Sequence, residues 1–311
     1  MASMITDLIR QYDEALPHAD PRTKDWLLVN NTPVYVWALT AIYMLIVFLG
    51  PTIMKNRRPY DLSAFLVVYN LGLVALSAYM LIEIILSTWN AGYSYICTPY
   101  SKKSWDNPKE LRVAKVLWWY FFSKAIELLD TVLMVLRKKN NQITFLHWFH
   151  HISMLNIWWW VMMFIPGGQS IFGSSLNCSV HVVMYAYYGL SAIPSLRGKL
   201  WFKNYITQFQ LTQFCVTLAH SIHSIYKPCD FPKWGEWLLV WYMVAMLILF
   251  SNFYIRTYML KRQKARDAKN GVSHKNGFVT NGNSVSTNGV STNGVLSNGD
   301  ASNGHVKKRK V

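Results

Sequence analysis

Three histidines, His147, His150 and His151, are spaced i, i+3, i+4 inside an otherwise apolar run. At one turn per 3.6 residues they occupy an arc of about 100° on one helical face. Asn177 and His181, again i, i+4, share a face of a later run, which Tyr185 and Tyr188 continue. Lys124, Glu127 and Asp130 precede the histidines, and Gln208, Gln210, Gln213, His220 and His223 follow them. Neutral imidazole titrates near physiological pH, so such groups can accept a proton or an acyl group. They can also bind a metal, or simply hydrogen-bond helices together. His-X-X-His-His is also a ligand element of membrane di-iron desaturases and hydroxylases, which by resemblance need about eight histidines in several boxes. Of the nine histidines here, His18, His274 and His305 lie outside the apolar runs, and the remaining six form one box plus scattered positions. This is a poor di-iron set, so acid–base or covalent chemistry without a metal or other cofactor is expected.

The elements that must position these groups are membrane helices. The 311 residues are 52% hydrophobic and only 15% charged, against about 25% charged in a soluble domain. Stretches of about 20 apolar residues suffice to cross hydrocarbon. Seven are present, near 33–54, 62–85, 113–136, 143–165, 170–193, 204–226 and 236–256. Pro166-Gly167-Gly168 supplies the turn inside a charge-free run from Asn140 to Leu196. Ionisable groups are costly in such helices, so their concentration from the third span onward points to a functional polar chamber. His151 lies roughly 12 Å and His181 roughly 18 Å from the same membrane side, so the two sites have comparable depth.

Net charge is +16, but the cations follow topology rather than a nucleic-acid face. Lys55, Arg57, Arg58, Arg137, Lys138, Lys139, Arg197, Lys199, Lys203 and the eleven from Arg256 onward all follow odd-numbered spans. The other side holds nine. The expected orientation puts the N-terminal segment 1–32 in a lumen, the helical domain at 33–260, and a tail at 261–311 in the cytosol. Cys97 and Cys229 then share the luminal side, either as free thiols or as a disulfide, with the Asn30-Asn31-Thr32 glycosylation sequon. The tail repeats Asn-Gly seven times without apolar periodicity, which reads as disordered. It ends Lys307-Lys308-Arg309-Lys310-Val311, an imperfect retrieval signal for the endoplasmic reticulum.

Four motifs then resemble a known family, the very-long-chain fatty acid elongases. They are Lys124-X-X-Glu127-X-X-Asp130-Thr131, Asn141-Gln142 through His147-Trp148-Phe149-His150-His151, Asn177-X-X-X-His181-X-X-Met184-Tyr185-Ala186-Tyr187-Tyr188, and Thr207-X-X-Gln210-X-X-Gln213-Phe214. Gln142 and Ser153-Met154-Leu155-Asn156 resemble the animal branch acting on polyunsaturated chains, whereas Trp148-Phe149 departs from its Val-Tyr. The resemblance implies an all-α membrane protein of seven transmembrane helices, six forming a barrel around an acyl tunnel. It also implies a Cys97–Cys229 disulfide. The implied reaction condenses acyl-CoA with malonyl-CoA to 3-oxoacyl-CoA, CO2 and CoA in the endoplasmic reticulum membrane. Implied partners are its lipids, a possible second copy and other enzymes of the elongation cycle.

On this reading His150 carries the acyl group, and His181 and Asn177 position the thioester or its oxyanion. His147 and His151 orient His150, while Glu127 and Asp130 set tautomers. Lys124, Tyr187, Gln210 and Gln213 support the site. Arg137, Lys139 and Lys203 bind CoA. A general-base mechanism without an acyl-enzyme is the runner-up. A receptor or transporter, and a desaturase or hydroxylase, are the competing functions.

Overall fold

A computed structural model describes residues 2–227, 229–269, 273–275 and 278–280. It divides into two compact units, residues 1–259 and 260–311. The first unit is helical: α1 (Ala2–Ala15), α2 (Val34–Ile53), α3 (Ser63–Ala91), α4 (Pro108–Glu127), α5 (Leu129–Leu136), α6 (Phe145–Phe164), α7 (Ser170–Ala192), α8 (Lys203–Tyr226) and α9 (Lys233–Tyr254), closed by a π-turn at Ile255–Met259. In the second unit, α10 (Leu260–Lys269) occupies the start of the stretch expected to be disordered, followed by two three-residue antiparallel strands, β1 (Ser273–Lys275) and β2 (Phe278–Thr280). The basic terminus at 307–311 and all seven Asn-Gly repeats lie outside the described residues.

Apolar residues cover the outside of the first unit. Val68, Leu71, Phe48 and Ile248 are each more than 60% exposed, a surface that only lipid or a partner can cover. Three helices, Val34–Ile53, Ser63–Ala91 and Lys233–Gln263, are long and apolar enough to cross a membrane by themselves. The chain is a multi-pass membrane protein. Its more polar helices turn those polar groups inward, where Lys124, Glu127, Asn177, His181 and Gln213 are all buried.

Helix contacts run from α3 to α4, α4 to α6, α6 to α9, α9 to α8, α8 to α7, and from α7 back to α3. The α2 helix packs on α5 and α6. Local signals fix the starts that matter. Asn107 caps α4 by accepting from the Lys109 amide at 3.0 Å, with Pro108 in the first turn. Thr144 caps α6 by accepting from the His147 amide at 3.3 Å, which places the histidine box in the first two turns.

One expectation needs correction. The span at 113–136 is not one helix: it breaks at Leu128, where the amides of Leu128 and Thr131 reach back three residues instead of four. The segment 1–32 carries α1, and Asp20 and Thr23 anchor it beneath α6. The Asp20 amide donates to the Met163 carbonyl at 2.8 Å, and the Thr23 hydroxyl donates to the Met162 carbonyl at 2.6 Å.

Cys97 and Cys229 form a disulfide, with Cα atoms 5.6 Å apart across 132 residues. Chain-entropy arguments give about 5 kcal/mol for closing a loop of this size. That figure is an upper bound, because crossings already inserted in lipid constrain the unfolded state. Cys97→Ser is expected to cost about 2–3 kcal/mol, read as a lower melting temperature under oxidising conditions that reducing agent produces equally in the wild type.

Candidate active site

The break at Leu128 puts two carboxylates at a tightened turn in the helical unit. Glu127 is the centre of one network. Its Oε1 accepts from Lys124 Nζ at 2.9 Å and Ser123 Oγ at 3.2 Å, and lies 3.3 Å from His181 Nδ1. Lys124 Nζ also donates to Asn177 Oδ1 at 3.2 Å and sits 4.4 Å from the centre of the Tyr120 ring. The Tyr120 hydroxyl donates to the same Asn177 oxygen at 2.7 Å. Four predicted residues, Lys124, Glu127, Asn177 and His181, are thus joined by direct bonds across α4 and α7. A carboxylate only accepts, so the proton of neutral His181 sits on Nδ1 and its Nε2 keeps a lone pair.

Asp130 behaves differently from expectation. It accepts from the Tyr185 hydroxyl at 3.0 Å and bonds no histidine among the described residues, so it sets no tautomer directly. The reason is the break: Asp130 starts a new helix and does not continue the Glu127 face.

The histidine box also separates. His147 Nε2 lies 2.8 Å from Thr131 Oγ1, which is itself 2.8 Å from the Tyr43 hydroxyl. His151 is buried between the His147 ring, 4.5 Å away, and that of Tyr43, 6.3 Å away. Of the three, only His150 is on the wall of the main cavity. Its ring partner is on α9, where Tyr242 places its hydroxyl 3.3 Å from His150 Nδ1 and 2.9 Å from Ser153 Oγ. Nothing in the spacing of the box pointed to Tyr242, which lies 92 residues away.

The cavity holds about 960 Å³ of empty space, its opening included. His150, Asn177, Tyr120 and Gln213 stand at one end, and Gln169, Ser224, Phe231, Trp234 and Glu236 at the other. From His150 to Ile165 the α6 wall runs about 22 Å. Met154, Ile157, Trp158, Val161, Leu239 and Met243 make its middle apolar. The far end is closed by a satisfied polar network in which Glu236 accepts from Ser224 at 2.6 Å and Lys233 at 2.9 Å, and Ser224 accepts from Gln169 at 3.1 Å. That end adjoins the disulfide, because Gln169 Nε2 is 3.6 Å from Cys229 Sγ. Gln213 Oε1 and Thr217 Oγ1, one turn apart on the cavity wall, are buried without a hydrogen-bond partner among the described residues. Thr217 carried no motif and was missed.

Other predicted residues lie elsewhere. Gln210 donates to Met184 Sδ at 3.4 Å, and Tyr187 packs on Phe202 with ring centres 5.4 Å apart. Neither lines the cavity. Lys139 and Lys203 are exposed, and Asn30 is an exposed left-handed residue in the loop before α2. Arg137 is half-buried. Burial and then nearby Arg197 push its guanidinium below its ordinary pKa, with Asp61 opposing them. Asp61 is held below the usual carboxylate range chiefly by the Ser63 hydroxyl at 2.7 Å and its amide at 3.1 Å. Arg137 and Arg197 are thus near enough to repel one another, with Asp61 beside them. Arg197 had been read only as topological charge.

Among the described residues, no group of three or more His, Cys, Asp or Glu side chains is arranged to hold a metal ion. The box explains this, since His147 bonds Thr131 on α5, His150 meets Tyr242 on α9, and His151 packs against Tyr43 on α2.

Comparison with known proteins agrees with the motifs. The model of ELO, the GNS1/SUR4 family, matches residues 28–266. Very long chain fatty acid elongase 5 of Tachysurus fulvidraco is 46% identical over 273 residues, covering 87% of this chain and 91% of that one. Elongase 2 of Rattus norvegicus is 46% identical over 273 residues, covering 85% and 96%. Elongase 4 of Homo sapiens is 42% identical over 287 residues, covering 92% and 89%. With both the family model and these relatives spanning the histidine box, the buried ion network and the cavity between them, this chain belongs to the ELO family of very long chain fatty acid elongases.

Proposed function

We propose that the chain is the condensing enzyme of fatty acid elongation, a 3-oxoacyl-CoA synthase that joins a long-chain, polyunsaturated acyl-CoA to malonyl-CoA. The observation that carries this reading is a long apolar cavity with His150 on its wall at the end it shares with Asn177 and Gln213, His220 being the other histidine on the lining. An acyl chain fills such a cavity by the hydrophobic effect and leaves its thioester beside the His150 ring.

The neutral His150 imidazole attacks the thioester carbonyl. The C–S bond breaks, and the CoA sulfur takes the proton that the ring gives up, leaving CoASH and an acyl-imidazole. Malonyl-CoA then loses CO2. The carbanion attacks the acyl carbon, the C–N bond breaks, and the ring recovers one proton from solvent. Asn177, fixed by Lys124 and Tyr120 through its oxygen, directs its amide NH2 elsewhere, and that group is the candidate for holding the thioester oxygen, whereas His181, with its proton on Nδ1 against Glu127, offers only an accepting Nε2. No cofactor enters these steps.

The fold supports the same reading. The closed neighbour order of α3, α4, α6, α9, α8 and α7 corresponds to a six-helix barrel, with α2 as the seventh crossing outside it. Positive-inside charge orients the Arg137 end to the cytosol and the disulfide end to the lumen of the endoplasmic reticulum. The arginines at 137 and 197 then form a cytosolic cradle for CoA phosphates.

The experiment is malonyl-CoA-dependent chain extension by membranes expressing the protein, over a panel of saturated and polyunsaturated acyl-CoAs. A 3-oxo product two carbons longer, strongest with polyunsaturated chains, is expected; absence of malonyl incorporation with every acyl-CoA sinks the proposal. In the same assay Arg137→Ala should raise KM for CoA thioesters about tenfold with kcat within twofold, since one charge-assisted contact contributes about 1.5–3 kcal/mol. Added salt should raise the wild-type KM more than that of the variant.

A further inference from the structure

Hydroxyl groups between His150 and the α6 backbone decide where its ring carries a proton. Ser153 Oγ lies 2.7 Å from the Phe149 carbonyl oxygen and 3.0 Å from that of His150. Carbonyls have no hydrogen to give, and two oxygens do not rest 2.7 Å apart without one between them. The single Ser153 proton is therefore spent on its own helix, the usual back-bond of a serine in a membrane helix. Ser153 Oγ is also 2.9 Å from the Tyr242 hydroxyl. With the serine proton committed, the tyrosine must donate here. Tyr242 has then spent its own proton, and its contact with His150 Nδ1, 3.3 Å away, must be filled by a proton on that nitrogen.

We infer that Ser153 and Tyr242 are positioning residues, a directional hydrogen-bond chain that locks neutral His150 as its Nδ1–H tautomer and leaves Nε2 with the lone pair. The catalytic use of that lone pair rests on the condensing-enzyme reading above; the tautomer itself does not. His181 reaches the same Nδ1–H state by a different route, through Glu127. Both imidazoles are thus set with the same nitrogen unprotonated, one by a carboxylate on α4 and one by two hydroxyls from α6 and α9.

Direction gives the chain an unusual signature. In Ser153→Ala the tyrosine is released from the serine and turns its proton onto Nδ1, which forces the proton of His150 to Nε2, the wrong nitrogen. In Tyr242→Phe nothing holds either tautomer, and the ring samples both. In the double variant the harmful donor is gone. Loss of the remote residue alone is therefore worse than loss of the contacting one, the reverse of what simple packing damage produces.

The test uses the full-length protein in lipid nanodiscs with ring-15N histidine, the His150 signals being assigned by their loss in His150→Gln. Without substrate, wild-type His150 is expected to show its proton on Nδ1, Ser153→Ala to move it to Nε2, and Ser153→Thr, which keeps the hydroxyl, to restore it. Acyl-histidine formation from acyl-CoA alone is expected to fall about 10²- to 10⁴-fold in Ser153→Ala, the range of a wrong-tautomer defect, and about tenfold in Tyr242→Phe. The double variant is expected to match Tyr242→Phe. A wild-type His150 protonated at Nε2, or a double variant whose losses simply add, overturns the inference. If no variant and no wild type forms an acyl-histidine while the nitrogen signals behave as stated, it is the acyl-carrier reading that fails and the hydrogen-bond chain that stands.

Discussion

His150→Ala is expected to abolish elongation, lowering malonyl-CoA-dependent turnover by at least about 10⁴-fold, the order seen when a covalent nucleophile is removed. The expectation follows from position. His147 is held by Thr131, and His151 is buried against Tyr43, so neither replaces the ring on the cavity wall. The protein should still fold, because His150 makes one long side-chain hydrogen bond, and that through a tyrosine which Ser153 also holds. Its loss costs less than burial of an unpaired charge. An acyl adduct on wild-type protein incubated with acyl-CoA alone, absent from His150→Ala, separates the covalent route from one using histidine only as a base. His147→Ala should retain adduct formation. Full turnover by a folded His150→Ala protein would falsify the assignment outright.

How much of this could be read from the chain depended on how local the cause was. The histidine box lies within seven residues of its Thr144 cap, so spacing alone described one helical face, and α6 starts where that face requires. The third span illustrates the limit. Its apolar run was visible, but the break at Leu128 was not, because no proline or glycine marks it. That break decides that Glu127 faces His181 while Asp130 turns to Tyr185. The pairing of Cys97 with Cys229 was open to topology, which brings two loops to one side, and the family resemblance supplied the bond. Tyr242 and Thr217 were not legible. They look like ordinary membrane-helix residues, and only packing of α8 and α9 against their neighbours brings them to the cavity. Arg197 was legible as a charge but not as a neighbour of Arg137, since positive-inside bias explains any cation at that end equally well.

The second large effect is expected from Lys124, and it bears on stability. Lys124 and Glu127 are both about 97% buried, and their attraction is repaid only while each has its full set of partners. Lys124→Met removes the cation, leaves Glu127 with Ser123 and His181 alone, and leaves the Asn177 oxygen to Tyr120. A buried ion left unpaired costs about 3–5 kcal/mol, so the single variant should melt well below the wild type in detergent. Lys124→Met/Glu127→Gln removes both charges at similar volume, and stability should return to within about 1 kcal/mol of the wild type. Activity should not return with it. The amide at 127 is a weaker acceptor for His181 than a carboxylate, and Asn177 is left to Tyr120 alone, so turnover should stay at least about tenfold down. Such a result would separate what the network does for folding from what it does for the site. A double variant less stable than the single one would show instead that the pair stabilises the fold in its own right, and the buried charges would then need no catalytic reason to be there.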